Sequence, residues 1–326
     1  MDPVTHLVAG MAIAITAAEY IPPGGAGLAA VLIGSLFPDL DIVLQAGGDL
    51  FYLRHHRGFS HSLLGLFLFA GIIAAMLTIV FPGVSFFALW QAAGLGYLGH
   101  ILFDLGNSYG VQLLWPFTRK KITFNLLMLF DPLLLLFLSI AFLKPIIGAF
   151  APYFAWGMTV GYLVCRYVLR VRAEKFLRQK FAKRAQKIFV TPALDSLFGW
   201  DFLVEKEEEV TYGHYRSLGS GVGLRGRLKK EKSNPVIEAA LNSPLGRFFR
   251  DFTPCFHISC WRDEEHYVVR FQDLRYFFRE GFLHTATVIM DRNRSLKEAV
   301  VSFYRGRRRV QLWPSREADE ERQISG

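Results

Sequence analysis

The stretch SLLGLFLFAGIIAAMLTIVF, residues 62–81, contains no charged side chain and decides the class of the fold. A helix that crosses the hydrocarbon core of a bilayer needs about 20 predominantly apolar residues. Similar apolar segments lie on both sides of it, and the predicted spans cover residues 4–20, 26–46, 62–82, 84–106, 124–144 and 147–170. The first two are rich in Gly and Ala, which favours close helix packing. The sequence predicts an all-α polytopic membrane bundle of about six transmembrane helices.

Charge is divided very unevenly along the chain. Residues 1–165 contain six Lys/Arg and seven Asp/Glu, whereas residues 166–326 contain the other 31 basic and 21 acidic residues. The net charge of +9 therefore reflects a basic second half that follows an apolar one, and we expect no nucleic-acid partner. The three cysteines are too few and too scattered for a disulfide framework.

The loop charges also predict the orientation of the chain in the membrane. Basic residues cluster after the second span, after the fourth span and after the sixth; the first two clusters are Arg54 with Arg57, and Arg119 with Lys120 and Lys121. The other connections carry at most one charge. The positive-inside rule then places both termini and the basic loops in the cytoplasm. The amino terminus lacks the basic region of a signal peptide.

The second half of the chain has a different pattern. Residues 171–190 predict a basic juxtamembrane helix, which anionic lipid headgroups would attract. Residues 191–315 contain alternating strand-like runs, and Asn234 and Ser243 each precede a proline, as at helix starts. We therefore predict a small soluble α+β domain after a transmembrane domain of residues 1–170, with residues 316–326 as a frayed tail.

Histidine and aspartate side chains occur within the apolar half, where ionisable groups are costly and need a reason. Together they form the ligand set of zinc, manganese and iron sites. His100 and Asp104 are four residues apart on one predicted helix and therefore share a face. Asp39 and Asp41 follow Pro38, which breaks or kinks the helix so that both carboxylates can face one site.

Several of these residues have ordinary explanations when taken singly. His6 could be a surface group, either aspartate after Pro38 could cap a helix, and Asp131 before Pro132 could mark a kink. The orientation given by the loop charges, however, places the whole set at the cytoplasmic face. The combination predicts a site for a divalent metal such as zinc, with His6, Asp39, Asp41, His61, His100 and Asp104 as the candidate ligands.

Four short motifs in this half resemble a known family. They are His6-Leu-Val-Ala-Gly10, Pro38-Asp-Leu-Asp41, His56-Arg-Gly-Phe-Ser-His61 and His100-Ile-Leu-Phe-Asp104. Over about residues 1–170 they are similar to the bacterial LexA-regulated, membrane-bound predicted metal-dependent hydrolases. The resemblance implies a multi-pass protein of the bacterial cytoplasmic (inner) membrane with hydrolase activity.

The order His, Asp, His, His-x3-Asp is also loosely similar to the ligand order of zinc-dependent phospholipase C and the single-strand nucleases of that fold. This likeness implies that Asp104 bridges two ions. The further histidines and the glutamate that hold a third ion in those enzymes have no evident counterpart, which leaves one or two ions. The sequence contains no P-loop, dinucleotide fingerprint or Gly-x-Ser-x-Gly elbow that would indicate another chemistry.

Two hypotheses for function follow. The first is a membrane-bound metal-dependent hydrolase that cleaves a phosphoester, which could be a lipid, at the cytoplasmic membrane face with metal-activated water. Asp39 or Asp41 would accept the proton, and Arg57, with Arg119 or Lys120 as alternatives, would balance negative charge on the substrate. His56 would be a ligand or a substrate contact.

The second hypothesis is a non-catalytic metal-stabilised membrane scaffold or regulatory protein, in which protein ligands fill the coordination sphere. Ion transport ranks last, because the ionisable residues are confined to one side of the membrane. The expected partners are membrane lipids and an amphiphilic or phosphoester substrate.

Overall fold

The computed structural model describes residues 1–47, 51–52, 55–181, 185–219, 221–263, 265–278, 281–303 and 306–310. The chain forms two compact units, Met1–Phe202 with Gly213–Leu224, and Leu203–Tyr212 with Arg225–Gly326. Arg54 and the predicted tail 316–326 lie outside the described residues.

The amino-terminal part of the first unit is helical. Its main helices among the described residues are α1 Pro3–Thr16, α2 Gly25–Leu36, α3 Leu63–Val80, α4 Phe86–Gly106, α5 Pro132–Ser139, α6 Lys144–Ile147 and α7 Phe150–Phe181. In the same described part, three 3-10 segments connect or extend them: Phe37–Gly47 after α2, Phe59–His61 before α3 and Ile140–Leu143 after α5. This arrangement confirms a helical amino-terminal region.

Within the described residues, three helical stretches are long and apolar enough to cross a membrane: Gly25–Ala46, Leu63–Val80 and Phe86–Gly106. Pro3–Thr16 and Pro132–Ile147 are apolar but shorter. Large apolar side chains on α3, among them those of Met76 and Ile79, are exposed, as lipid-facing side chains would be. The count of six spans stays a prediction.

The fifth and sixth predicted spans differ from the helices at their ends. Helix α5 begins at Pro132, because the Asp131 side chain caps it by accepting the Leu134 N–H at 3.1 Å. Residues 124–131 of the predicted span are therefore not helical. Helix α7 runs through residue 170 to Phe181, so that the basic stretch from residue 171 continues the same helix.

Helices α2 and α4 meet at glycines, whose small size lets two backbones approach closely. A Cβ atom added to Gly34 would lie 2.1 Å from the carbonyl oxygen of Ala93. One added to Gly96 would lie 2.0 Å from the carbonyl oxygen of Val31. This contact fixes the carboxyl end of α2 against α4. Asp39 and Asp41 follow α2, and His100 and Asp104 lie on α4.

The described residues of the remaining chain form two main sheets. The four-stranded sheet has the order β1-β2-β3-β4, formed by Lys187–Pro192, Gly199–Glu205, Glu209–Arg216 and Val222–Lys229. The five-stranded sheet has the order β11-β10-β9-β6-β5, formed by Gly306–Val310, Leu296–Phe303, His284–Met290, His266–Asp273 and Phe256–Asp263. A short pair, β7 Phe277–Phe278 and β8 Gly281–Phe282, lies between β6 and β9 in the sequence.

Two helices, α8 Pro235–Asn242 and α9 Pro244–Phe252, precede the five-stranded sheet in the sequence. Asn234 caps the first by accepting two backbone N–H groups at 2.9 Å, and Ser243 caps the second by accepting one at 3.0 Å. Both helix starts predicted from the sequence are therefore confirmed, as is a small domain of mixed helix and strand.

Candidate metal centre

Four of the predicted ligands converge on one point. Oxygen or nitrogen atoms of Asp39, His61, His100 and Asp104 all lie within 4.8 Å of one another. The two histidine Nε2 atoms are 3.1 Å apart. The Nε2 atom of His61 lies 3.5 Å from Asp39 Oδ1 and 3.4 Å from Asp104 Oδ2, and that of His100 lies 3.7 Å from each of the same oxygens.

These separations match the spacing of ligands around a metal ion. Ligands held at about 2.0–2.1 Å from a tetrahedral zinc ion lie about 3.3–3.4 Å from one another. The side chains of His61, His100 and Asp104 are at most 1% exposed, whereas that of Asp39 is 19% exposed. The cluster could therefore bind a divalent ion, with its more open side at Asp39.

Local structure explains how the four residues meet. Pro38 removes a backbone N–H, and the chain changes at Phe37 from α-helix to a 3-10 segment whose first turn carries Asp39. His61 ends the 3-10 turn before α3, where Ser62 caps the helix by accepting the Gly65 N–H at 3.0 Å. His100 and Asp104 lie one turn apart on the same face of α4.

Hydrogen bonds behind the cluster define the tautomers of both histidines. His100 Nδ1 lies 2.8 Å from the carbonyl oxygen of Ser35, which can only accept, so Nδ1 carries the hydrogen. Ser60 donates its hydroxyl hydrogen to Asp41 Oδ2 at 2.9 Å and therefore accepts from His61 Nδ1, also at 2.9 Å. In the neutral rings both Nε2 atoms present lone pairs to the site.

A cation would stabilise this arrangement. Burial holds the pKa of His61 well below the ordinary value of histidine, so that its ring is neutral near pH 7. Asp104 Oδ2, which faces both Nε2 atoms, accepts no hydrogen bond from any described residue. Lone pairs of His61, His100 and Asp104 thus converge without a hydrogen between them, and the donor set fits a divalent ion.

The other oxygen of Asp104 lies among cationic and ligand groups. The amino group of Met1 donates to Asp104 Oδ1, and Arg57 Nη2 lies 3.3 Å from that oxygen. His6 Nε2 is 3.5 Å from the same atom, and the His6 ring stacks on that of His100 with 3.6 Å between centroids. His6 therefore lies next to the four-atom cluster but on the opposite side of the Asp104 carboxylate.

Asp41 and His56 lie behind the cluster instead of within it. Asp41 Oδ1 accepts from His56 Nδ1 at 2.7 Å, while Oδ2 accepts from Ser60 and from the backbone N–H of Arg57 at 3.3 Å. Burial lowers the pKa of His56 although its bond to Asp41 acts in the opposite direction. The contacts of Asp41 orient His61 and the loop before α3, since both carboxylate oxygens are engaged.

Arg57 is the predicted cation that reaches the site. It is 4% exposed, has a φ of 62°, and holds its guanidinium 5.4 Å from the centre of the Tyr109 ring. Among the described residues, Nε and Nη1 of Arg57 have no hydrogen-bond partner. Arg119 and Lys120, the two alternatives, are exposed.

Sequence reasoning missed two polar residues of this region. Ser60 lies between Asp41 and His61, and its place within the motif that ends at His61 was the available signal. Asn107 follows the end of α4, is 1% exposed, and accepts the Tyr109 N–H through Oδ1 at 2.9 Å. Its Nδ2 group has no hydrogen-bond partner in the described part of the chain, and no pattern in the sequence singled it out.

Comparison with known proteins identifies the family of the helical part. The family model described as YdjM inner membrane protein matches residues 1–173, which include every residue of the candidate metal centre. The chain belongs to the YdjM inner membrane protein family. This membership and the apolar helices indicate a bacterial inner membrane protein. The membrane-family part of the resemblance is thereby confirmed, whereas LexA regulation, hydrolase activity and the likeness to phospholipase C stay predictions.

The carboxyl-terminal part of this YdjM family member has a match of its own. The model described as YfhP C-terminal alpha/beta plait domain matches residues 235–310. Uncharacterized protein YfhP of Bacillus subtilis (strain 168) is 27% identical over 322 residues, which cover 93% of this chain and 95% of the relative. No solved structure matches.

Proposed function

We propose that this YdjM-family protein is a membrane-bound metal-dependent hydrolase that cleaves a phosphoester at the cytoplasmic membrane face. The observation that carries the proposal is the convergence of two unprotonated Nε2 atoms and two carboxylate oxygens at ligand spacing. Zinc is the ion that the set fits best. His6 Nε2 and Asp104 Oδ1 both contact the Met1 amino group, and a second ion would take the place of that group between them.

The residues divide into ligands and a proton acceptor. Catalytic zinc sites keep three protein ligands and one open position, and His61, His100 and Asp104 supply three buried ligands. A bound ion would lower the pKa of a water molecule to about 7. Asp39 is the carboxylate suited to accept the proton, because it is partly exposed whereas both oxygens of Asp41 are engaged in hydrogen bonds.

The substrate proposal rests on Arg57 and on the position of the site. Arg57 would balance negative charge on a phosphoryl group, since its guanidinium lies beside Asp104 and retains unpartnered N–H groups among the described residues. His56 would support the site through Asp41. We further propose six passes with both termini in the cytoplasm, which would put the site at the interface where an amphiphilic substrate such as a lipid is available.

A closed structural metal site is the second candidate function. One observation favours it: four protein donor atoms lie within 4.8 Å of one another, and four protein ligands would fill the coordination sphere of zinc. The protein would then be a metal-stabilised membrane scaffold or regulatory protein without hydrolase activity.

Metal analysis of the detergent-purified protein tests the site itself. We expect zinc in the wild-type protein and its loss in His61→Ala and Asp104→Ala, because each removes a buried ligand. His55→Ala is the matched control, since His55 is exposed in the same loop and its side chain contacts only Phe51 among the described residues for which a contact is given. Wild-type metal content in both ligand variants would show that the site is wrongly assigned.

Asp39→Asn separates the two functions. In the hydrolase, the variant keeps its metal but cleaves phosphomonoester or phosphodiester substrates about 100- to 10,000-fold more slowly, as expected when a general base is lost. In the scaffold, the wild-type protein is inactive on the same substrates, and Asp39→Asn binds zinc more weakly because one of four ligands is weakened. Metal content and hydrolysis measured on one preparation therefore distinguish them.

A further inference from the structure

Two buried side chains beside the metal centre have hydrogen-bond donors without partners. The Nε and Nη1 groups of Arg57 and the Nδ2 group of Asn107 donate to no partner among the described residues, although the two side chains are only 4% and 1% exposed. A buried donor that has lost its water and gained nothing costs about 1–3 kcal/mol, and more when it is charged. Such groups in a native protein need an explanation, and beside a candidate metal centre a ligand bound during function provides one.

The two side chains share the same surroundings. Arg57 Nη2 lies 3.3 Å from Asp104 Oδ1, and the guanidinium lies 5.4 Å from the centre of the Tyr109 ring. The Asn107 N–H bonds the carbonyl oxygen of Asp104 at 3.2 Å, and Asn107 Oδ1 accepts from the Tyr109 N–H. Asp104 and Tyr109 thus connect both sets of donors to the metal centre.

The conformation of Arg57 supports a specific role for its side chain. Its φ of 62° lies in the left-handed region, which residues other than glycine and asparagine rarely adopt. Two hydrogen bonds hold this backbone: the Arg57 N–H donates to Asp41 at 3.3 Å, and the Arg57 carbonyl accepts from the Gln112 N–H at 3.0 Å. Strain of this kind persists where the surrounding structure enforces it, commonly at ligand sites.

Charge favours an anion as the missing partner. The carboxylates of Asp39 and Asp104 are matched by the guanidinium of Arg57 and the amino group of Met1. A divalent ion on the cluster would make the total charge positive. An anion would then find a positive site with directed N–H donors, which is the arrangement that recognises oxyanions.

We infer that Arg57 and Asn107 form a binding subsite for a phosphate-type oxyanion next to the metal centre. The inference rests on the proposed hydrolase function and adds Asn107 to the groups that would hold the phosphoryl oxygens. A carboxylic ester has one carbonyl oxygen, which the metal ion would take. A phosphoryl group has additional non-bridging oxygens, and these can accept from the three unpartnered donors while another oxygen faces the ion.

Calorimetric titration of inorganic phosphate into the full-length, zinc-loaded protein tests the subsite without relying on turnover. We expect wild-type protein to bind phosphate and Arg57→Asn to bind it about 10- to 100-fold more weakly, the effect of losing charge-assisted hydrogen bonds. Asparagine is chosen because it tolerates the positive φ. Asn107→Asp keeps the acceptor for the Tyr109 N–H, removes the donor, and should weaken binding as well.

Matched controls carry the same substitutions outside the subsite. Arg172→Asn changes an exposed arginine of α7, and Asn125→Asp changes an asparagine in the connection between α4 and α5; both should bind phosphate like the wild type. If Arg57→Asn does not fold, Arg57→Lys keeps the charge without the planar fork and should bind with reduced affinity. Acetate, a planar anion, should bind less tightly than phosphate.

The zinc content of each variant separates the two proposals. Weaker phosphate binding in Arg57→Asn and Asn107→Asp, with zinc content unchanged, supports the subsite. Equal phosphate affinity in wild type and both variants, again with zinc retained, overturns the subsite and leaves the metal-dependent hydrolase standing. A wild-type protein that retains no zinc overturns the proposed function instead, and the metal assay alone reveals that outcome.

Discussion

At the scale of single residues, the hydroxyl of Ser60 fixes which nitrogen of His61 faces the metal centre. Ser60 donates to Asp41 and accepts from His61 Nδ1, both at 2.9 Å. Ser60→Ala removes the acceptor that holds the hydrogen on Nδ1, so the tautomer with a free Nε2 loses its advantage. We expect zinc affinity to fall about 10- to 100-fold, as for other residues that orient metal-bound histidines.

Competition with a chromophoric chelator measures this change in affinity. Ser85→Ala is the matched control, because the Ser85 side chain makes no capping bond to helix α4 and should leave zinc binding unchanged. Equal zinc affinity in Ser60→Ala and Ser85→Ala would mean that Ser60 does not set the tautomer of His61.

The residues that converge could be predicted from the sequence because simple geometry brings them together. The spacing of His100 and Asp104 puts both side chains on one face of α4. The proline before Asp39 ends helix α2 and releases Asp39 from regular helix geometry. The positions of Asp41 behind the four-atom cluster and of His6 beside it could not be predicted. They depend on hydrogen bonds to Ser60 and on ring stacking against His100, which the linear pattern does not reveal.

At the scale of elements, the contact between α2 and α4 sets the distance from Asp39 to His100. Alanine is a better helix former than glycine by about 1 kcal/mol, so propensity alone would make Gly96→Ala stabilising. Its new Cβ would meet the Val31 carbonyl oxygen at 2.0 Å, and overpacking of this kind costs about 1–3 kcal/mol. We expect Gly96→Ala to lower the thermal stability of the purified protein and its zinc content.

Gly94→Ala provides the comparison on the same helix. A Cβ atom at Gly94 would meet nothing within 4 Å, so this variant should be as stable as the wild type or slightly more stable. Thermal unfolding in detergent, followed by metal analysis, measures both effects. Similar stability of the two alanine variants would contradict a tight α2–α4 contact at Gly96.

Helix starts were predictable where a capping residue precedes proline, as at Asn234 and Ser243. The same signal at Asp131 was outweighed by the apolar residues before it, which suggested a longer span. In the structure the Leu126 and Leu127 N–H groups bond the Gly106 carbonyl oxygen at 2.8 and 2.9 Å. A buried extended segment and a buried helix have similar hydropathy, so composition could not separate them.

At the scale of the whole molecule, the division of charge predicted an apolar first part and a basic second part. The strand order of the five-stranded sheet was beyond sequence reasoning. Strand β6 pairs with β9, and the short strands β7 and β8 come between them in the chain. Pairing over such a separation depends on packing of the complete sheet, whereas sequence patterns report mainly on local structure.

Orientation in the membrane remains a prediction that single cysteines can test. The chain has three cysteines, Cys165, Cys255 and Cys260, all of which can be replaced first. Ser85→Cys and Lys120→Cys then place one thiol at either end of the α4 region, and both positions are exposed. Because Lys120 lies in a basic loop and Ser85 in an uncharged connection, the positive-inside rule puts them on opposite sides.

We expect a membrane-impermeant maleimide to label Ser85→Cys in intact spheroplasts and Lys120→Cys only after the membrane is permeabilised. A thiol at position 120 that reacts from outside would invert the topology and move the metal centre to the outer face. Because α4 runs toward the basic loop and ends with His100 and Asp104, labelling at these two positions also decides which compartment supplies the substrate.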